Sequence, residues 1–523
     1  MYGIDPTQSP YNADWSGATD ASQGLIMADA AAASAGTRLL LPPGSPKISK
    51  SIIFTAPKVI GFNTTFNFDP TATYSAPLVS LDGPALFDGV TISCNNSAFL
   101  SSVPLSITSQ TDVQIGPGVH VNGQFHDGIV ASSCQGLLIH DGARVTSTAT
   151  GSTPSTTSYR GVQLEACTSS KIGRVRIEGN YSNHLASDDN GTLNQWVNPS
   201  MEATATTVAA FGLSFTYADE CVLIGGDFKN TYAEAVQMTS CNRSQMIGWV
   251  ARWDSSHGTD FGCSQDANLD CYMQGKVYNS YKAAAGIAVT VANAAGCGMV
   301  MEVTGYNSAV RETTAGGTGA AFEAYAQSTG SDLQSFEFRN CRCYLDSGNT
   351  INWRYFEGVG SGATVSGGKV KYLQVEGPGT VQNQLTESVV NWTGANATRF
   401  WDNDPIAFYL SMSSSTGTLG SHTSGVQPSF QRIGRTVSIN VQYQITSAGA
   451  SPGGAVLIAL PTQIMGPGLP ASCGLSGREG AVTGVGVTGS VQNTSLEVFM
   501  ATGAGFAGIN GYNVSIGGAY VMG

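Results

Sequence analysis

The chain has 523 residues, 41% of them hydrophobic, which is enough apolar material for more than one core and excludes disorder throughout. Only 11% are charged, against roughly 25% in ordinary soluble domains, while glycine reaches 65 residues, a profile of turn-dense β structure. Lys and Arg total 24 against 36 Asp and Glu, and the resulting net charge of −12 opposes a phosphate-backbone partner, so nucleic-acid binding is set aside.

From Met1 to Gln8 no basic stretch precedes an apolar one, so no secretory signal is readable and folding in a cytoplasm is expected. A helical pattern runs from Ser22 to Ser34 through Gln23, Leu25, Ile26, Ala30 and Ala33. A strand over Thr37 to Leu41 follows, stopped by Pro42, Pro43 and Gly44, and a second apolar run spans Ser51 to Phe54. The segment Asp14-Trp-Ser-Gly-Ala-Thr-Asp-Ala-Ser-Gln23, the Ala-rich helix and Arg38-Leu-Leu-Leu-Pro-Pro-Gly44 together resemble the entry segment of pectate-lyase-like right-handed parallel β-helices, common in phage tailspikes. The resemblance implies that the helix caps the first open coil, where unpaired backbone groups would otherwise invite another strand to add.

A solenoid demands a repeat, because each coil must bury the face of its neighbour. Segments that open small and then apolar recur at Gly128-Ile129, Gly161-Val162, Gly212-Leu213, Ala235-Val236, Asp260-Phe261, Gly286-Ile287 and Ala321-Phe322. A second short strand follows in most, as in Leu137-Leu138-Ile139, Val222-Leu223-Ile224, Gln245-Met246-Ile247 and Met299-Val300-Met301. Thr146 to Thr157, Tyr181 to Thr207 and Arg311 to Gly319 read as insertions, which on solenoids tend to wall a binding face. Cys134, Cys167 and Cys241 each fall six positions after the small residue, predicting one ladder of buried thiols. The 11 cysteines include no CxxC pair, and no metal or cofactor is expected. Ala283 to Met301 carries no charge, but Gly286, Asn293, Gly296 and Gly298 with several β-branched residues argue against a membrane span.

Past about Asn391 the pattern changes. Trp401-Asp-Asn-Asp-Pro405 reads as a turn, Ser429 to Ile445 alternates polar and apolar residues, and Ala455 to Leu460 leads into Pro461. Phe430-Gln-Arg-Ile-Gly434-Arg-Thr-Val437 resembles a motif of tail-fibre carboxy-terminal domains, which implies a trimerising end. The expected layout is all-β: an entry segment over 1–50, a right-handed parallel β-helix over 51–390, and an antiparallel β-sandwich over 391–523 for trimerisation or glycan binding.

No GxSxG elbow, HExxH or GxxxxGK[ST] loop is present, which leaves serine esterase, zinc hydrolase and nucleotide chemistry without their signatures. The resemblance implies a virion component that attaches to the phage tail and cleaves a bacterial surface polysaccharide. Glycosidic hydrolysis needs one carboxyl to donate a proton and one carboxylate to activate water or attack the sugar, both facing one groove. The residues opening successive coils, Asp127, Arg160, Phe211, Glu234 and Asp260, read as a column, with Glu234 and Asp260 on adjacent coils. A second set holds Asp227, Arg252, Asp254 and His257. Glu234, Asp254 and Asp260 are therefore the expected acid, base or nucleophile, with Asp227 in support. Arg252, His257, Trp253, Arg160 and Tyr278 are the expected substrate contacts, Arg252 toward an acidic sugar. Two alternatives stand beside hydrolysis. One is β-elimination from a uronic acid through His257, Arg252 and Tyr278. The other is a fibre that only binds glycan, with Trp249 and Trp253 as platforms.

Overall fold

The computed structural model describes residues 3–74, 77–125, 127–148, 160–179, 181, 184–204, 211–231, 233–254, 262–280, 284–306, 320–326, 328–344, 352–358, 364–366, 369–371 and 374–376, and nine strands between Ile406 and Val521. The expected turn at Trp401–Pro405 lies outside the described residues. The chain divides into two units: Met1–Phe336, Cys341–Val365 and Gln374–Val389 in one, Glu337–Asn340, Ser366–Leu373 and Val390–Gly523 in the other.

The first unit is a right-handed parallel β-solenoid, since every ladder in it pairs parallel strands from successive turns of the chain. One sheet has twelve strands, among them Ile129–Ser132, Arg160–Glu165, His184–Asp189, Phe211–Thr216, Val236–Thr239, Cys263–Asp266, Ala285–Val289 and Ala320–Ala326. A longer sheet faces it and contains Arg176–Gly179, Ser200–Ala203, Asp227–Lys229, Gln245–Arg252, Tyr272–Tyr278, Val300–Tyr306 and Arg342–Tyr344. The helix Ser22–Ser34 buries Leu25, Ala28 and Ala32, and its buried Asp29 accepts from the backbone N–H groups of Thr55 and Ala56.

The interior is built of ladders. Val145, Ile177, Met201, Phe228, Ala251 and Val277 are register partners in turn and all are buried; so are Ile139, Ile172, Trp196, Leu223, Met246 and Met273. Each such side chain contributes about 1.5–3 kcal/mol through burial. The small residue opening each coil has a steric cause. A Cβ on Gly128 would stand 2.5 Å from Val145 Cγ1, and one on Gly212 would stand 2.8 Å from Phe228 Cδ1, both on the facing sheet.

Three register details differ from the sequence reading. Tyr181 to Thr207 is not an insertion: its described part is a coil of its own, with strands His184–Asp189, Gln195–Val197 and Ser200–Ala203. The coil expected to open at Asp260-Phe261 opens at Gly262-Cys263, because Val236 pairs with Cys263 and a Cβ on Gly262 would meet Val277 at 2.4 Å. The next opens at Ala284-Ala285 rather than Gly286-Ile287, since Cys263 pairs with Ala285. Cys134, Cys167 and Cys241 do share a column, with Gly191 and Ala218 between the last two.

A corner recurs whatever its residue type. Just past the strands of the twelve-stranded sheet, Ser109, Ser133, Ala166, Asn190, Tyr217, Ser240 and Ala267 all turn through the left-handed region, with φ between 50° and 54°. The uncharged stretch Ala283–Met301 supplies strands Ala285–Val289 and Ala295–Cys297, and among the described residues no helix is long and apolar enough to cross a membrane.

In the second unit the strands His422–Ile433 and Thr436–Ile445 pair antiparallel, as do Thr436–Ile445 with Asn513–Val521 and Ala471–Glu479 with Gly486–Gln492. Ile439 and Val441 are buried while Ser438 and Asn440 are exposed, the alternation read from the sequence.

Candidate functional site

Alternation along the longer sheet buries every second side chain and leaves the rest on an outer face. Two adjacent columns on that face carry most of its chemistry. One contains Arg144, Arg176, Ser200, Asp227, Val250, Lys276, Thr304 and Arg342 in register. The other, two residues further along each strand, contains Thr146, Glu178, Glu202, Lys229, Arg252, Tyr278, Tyr306 and Tyr344.

Three carboxylates therefore gather on three consecutive coils. Glu178 pairs in register with Glu202, and Arg176 Nε donates to Glu178 Oε1 at 2.6 Å. Asp227 pairs with Ser200, one coil on from Glu202, and Lys229 Nζ stands 3.8 Å from its Oδ2. Asp227 Oδ1 is buried and, among the described residues, meets no hydrogen-bond donor. Beyond them the guanidinium of Arg252 lies over the ring of Tyr278, 5.9 Å from Cζ to the centroid. Tyr278 stacks on Tyr306 at 4.5 Å, and Tyr306 on Tyr344 at 5.4 Å.

Of the residues singled out from sequence, this face brings together Asp227, Arg252 and Tyr278. Asp254 lies two residues past Arg252, where Asn230 Nδ2 donates to its Oδ2 at 3.1 Å and Asn230 Oδ1 accepts from its backbone N–H. Trp253 does not join them as a sugar contact. It is only 2% exposed and its Nε1 donates to the Thr231 carbonyl, because its position in the strand alternates inward. Trp249 is fully buried for the same reason and offers no platform. His257 and Asp260 lie outside the described residues.

Glu234 and Arg160 belong to the other sheet. Glu234, 9% exposed, precedes strand Val236–Thr239 and accepts from Ser264 Oγ at 3.2 Å. Arg160 pairs in register with His184, donates its backbone N–H to Asp127 Oδ1 at 3.0 Å and forms an ion pair with Asp189. Burial raises the Asp127 and Asp189 carboxyls above the usual range, opposed by Arg160. His184 stacks on Phe211 at 4.8 Å, and burial followed by the Arg160 charge holds its imidazole down at about 3. The column expected as Asp127, Arg160, Phe211, Glu234 thus carries His184 between Arg160 and Phe211, so the Arg160 and Glu234 positions are three coils apart.

Sequence reasoning missed Glu178, Glu202, Tyr306 and Tyr344. Glu202 fell within the stretch read as an insertion, and the tyrosines are 28 and 38 residues apart, a column that only the register exposes. Among the described residues no group of His, Cys, Asp and Glu could hold a metal ion.

No protein-family model and no curated protein sequence matches the chain. Solved structures do. The Dettilon tailspike protein gp208 superposes with a TM-score of 0.64 at 14% identity, covering 99% of this chain and 94% of its own. The gp54 tailspike of Acinetobacter baumannii bacteriophage AP22, solved with an A. baumannii capsular saccharide, matches with a TM-score of 0.47 at 9% identity, covering 99% and 96%. The catalytic unit of a GH87 α-1,3-glucanase from Streptomyces thermodiastaticus matches with a TM-score of 0.45 at 13% identity over 72% and 70%. The first of these establishes that the chain shares the fold of a phage tailspike over nearly its whole length.

Proposed function

We propose that this chain is a phage tailspike that binds a bacterial surface polysaccharide, such as a capsule, exopolysaccharide or O-antigen, and cuts it by glycosidic hydrolysis. The observation that carries the reading is the outer face of the longer sheet, where Glu178, Glu202 and Asp227 stand next to Lys229, Arg252 and Tyr278. The likeness in fold to the Dettilon tailspike supports the setting.

Glu202 and Asp227 are the proposed catalytic pair. They sit one coil apart and two residues offset, which at ~4.8 Å between strands and ~3.3 Å per residue places their Cα atoms about 8 Å apart. At that Cα spacing the carboxyl groups can stand far enough apart to hold a water molecule between them, the arrangement of an inverting hydrolase. One carboxyl protonates the glycosidic oxygen as the bond to the anomeric carbon breaks; the other takes a proton from the attacking water. Arg252, Tyr278 and Asp254 contact the adjoining sugars. Three copies of the chain assemble at the working tailspike.

β-Elimination is the second reading, favoured by the position of Arg252 over Tyr278, which sets a cation to balance the carbanion beside a tyrosine that takes the α-proton as its phenolate. The test is incubation of the purified protein with a panel of capsular and lipopolysaccharide preparations, followed by sizing and ultraviolet absorbance of the products. Short oligosaccharides with new reducing ends and no absorbance support hydrolysis. Absorbing products replace it with elimination, and binding without shortening removes catalysis altogether. Sedimentation of the 54.1 kDa chain as a stable monomer would contradict the trimer.

A further inference from the structure

The three tyrosines at the far end of the face are unusual in how they are presented. The planes of Tyr278 and Tyr306 differ by 7° and those of Tyr306 and Tyr344 by 23°, so the ring faces are closed against one another. Arg252 covers the remaining face of Tyr278. A sugar therefore finds no open ring face to stack on between Arg252 and Tyr344. What the half-buried column offers instead is ring edges, the positive pole of the aromatic quadrupole, and phenol hydroxyls that donate hydrogen bonds.

The flanking column adds charge of the same sign. Lys276, on the strand of Tyr278, and Arg342, on the strand of Tyr344, are both exposed and point to the same face two residues away. Among the described residues Arg252, Lys276 and Arg342 form no ion pair, whereas Lys229, next in the column, is drawn toward Asp227. In a chain of net charge −12, a strip that sets Arg252, Lys276 and Arg342 around a row of ring edges concentrates positive charge. Glu302, the carboxylate on the strand of Tyr306, stands four residues from that tyrosine, where it accepts from Tyr272 Oη at 2.7 Å.

We propose that this strip binds a negatively charged stretch of polysaccharide, laid along the solenoid axis from Arg252 past Tyr278 and Tyr306 to Tyr344. The proposal rests on the reading of the protein as a polysaccharide-binding tailspike, and it assigns the substrate class: a glycan bearing carboxylates or another anionic group, held over consecutive coils about 4.8 Å apart. Recognition is through edges, hydroxyls and cations, so it weakens with salt, unlike stacking on an open aromatic platform.

Native gel electrophoresis of the full chain through polygalacturonate, and separately through neutral dextran of similar length, tests it. The expected result is retardation by polygalacturonate alone, lost in about 0.5 M salt where screening shortens to a few ångströms. Lys276→Gln combined with Arg342→Gln, both on exposed side chains, should weaken apparent affinity about tenfold, the sum of two exposed charge contacts. Tyr306→Phe, which keeps the stack and deletes one hydroxyl, should weaken it about threefold, the loss of roughly one hydrogen bond. Equal retardation by dextran, no retardation by either polymer, or an unaffected double variant would overturn the strip. Shortening of a bacterial glycan alongside any of those results leaves the tailspike reading intact and removes only the anionic class. Retention on polygalacturonate without cleavage of any glycan does the reverse.

Discussion

A Cβ placed on Gly161 would stand 2.6 Å from Cγ2 of Ile177, across the interior from one sheet to the other. The same atom would lie 2.6 Å from the Leu185 carbonyl oxygen, which is backbone and cannot swing aside. Gly161→Ala is therefore expected to lose about 1–3 kcal/mol, the cost of overpacking a filled core. Urea unfolding measures it, and a variant as stable as the parent would mean the two sheets can separate at this coil.

That contact also explains what the sequence revealed. A small residue followed by an apolar one marked five of the seven proposed coil openings correctly, because proximity to the facing sheet leaves room for little else. The signal failed where it was imitated or diluted. Asp260-Phe261 was chosen two residues before the true Gly262-Cys263, and Gly286-Ile287 two residues after Ala284-Ala285, in stretches where several small residues compete. Leu185-Ala186 opens its coil with the large residue first, so a whole turn was read as a loop. The site was less legible than the fold. Asp227, Arg252 and Tyr278 were found on one face, but Glu202 lay in the missed coil, and Trp253 was read as a sugar contact since its inward alternation depends on register.

Activity tests the catalytic pair. Glu202→Gln and Asp227→Asn should each lower turnover by about 10²–10⁴-fold, the usual worth of general acid–base groups, with unchanged melting temperature. Glu234→Gln, on the other sheet, should leave turnover within about threefold, below the usual contribution of an acid–base group. Loss of activity in Glu234→Gln alone would move the site to the twelve-stranded sheet.

Two titrating groups on one strand pull stability in opposite directions. Burial pushes the Asp188 carboxyl up to about 7, against hydrogen bonds donated by Trp196 Nε1 and Asn194 Nδ2. The folded chain thus keeps a proton that the unfolded chain releases near pH 4, and stability falls as pH rises from about 4 to 7. His184 is held neutral down to about pH 3, so it takes stability away as pH falls below about 6.5. Between about 4 and 6.5 the slopes oppose, each at most roughly 1.4 kcal/mol per pH unit. Asp188→Asn should expose a loss of stability toward acid, and His184→Gln a loss toward neutral pH. Melting temperatures against pH that run parallel in parent and both variants would refute the opposition.

Leu193 and Tyr217 hold φ angles of 58° and 53° with side chains 49% and 63% exposed. They contribute little packing to offset a left-handed backbone that costs a side-chain-bearing residue roughly 1–2 kcal/mol. Leu193→Gly should accordingly raise stability by about 1 kcal/mol, even though glycine loses more freedom on folding. Calorimetry reads the change, and a lower melting temperature would show that the exposed leucine makes contacts worth more than the strain.

Nine of the ten described cysteines are buried. Burial pushes the thiols of Cys94 and Cys271 up to about 12, which leaves almost no thiolate to react near neutral pH. Cys134 departs from this, its thiol drawn below the ordinary value by the hydrogen bond it shares with Cys167. Where burial holds a described thiol protonated, as it does at Cys94 and Cys271, an oxidant in the surroundings finds little thiolate to attack.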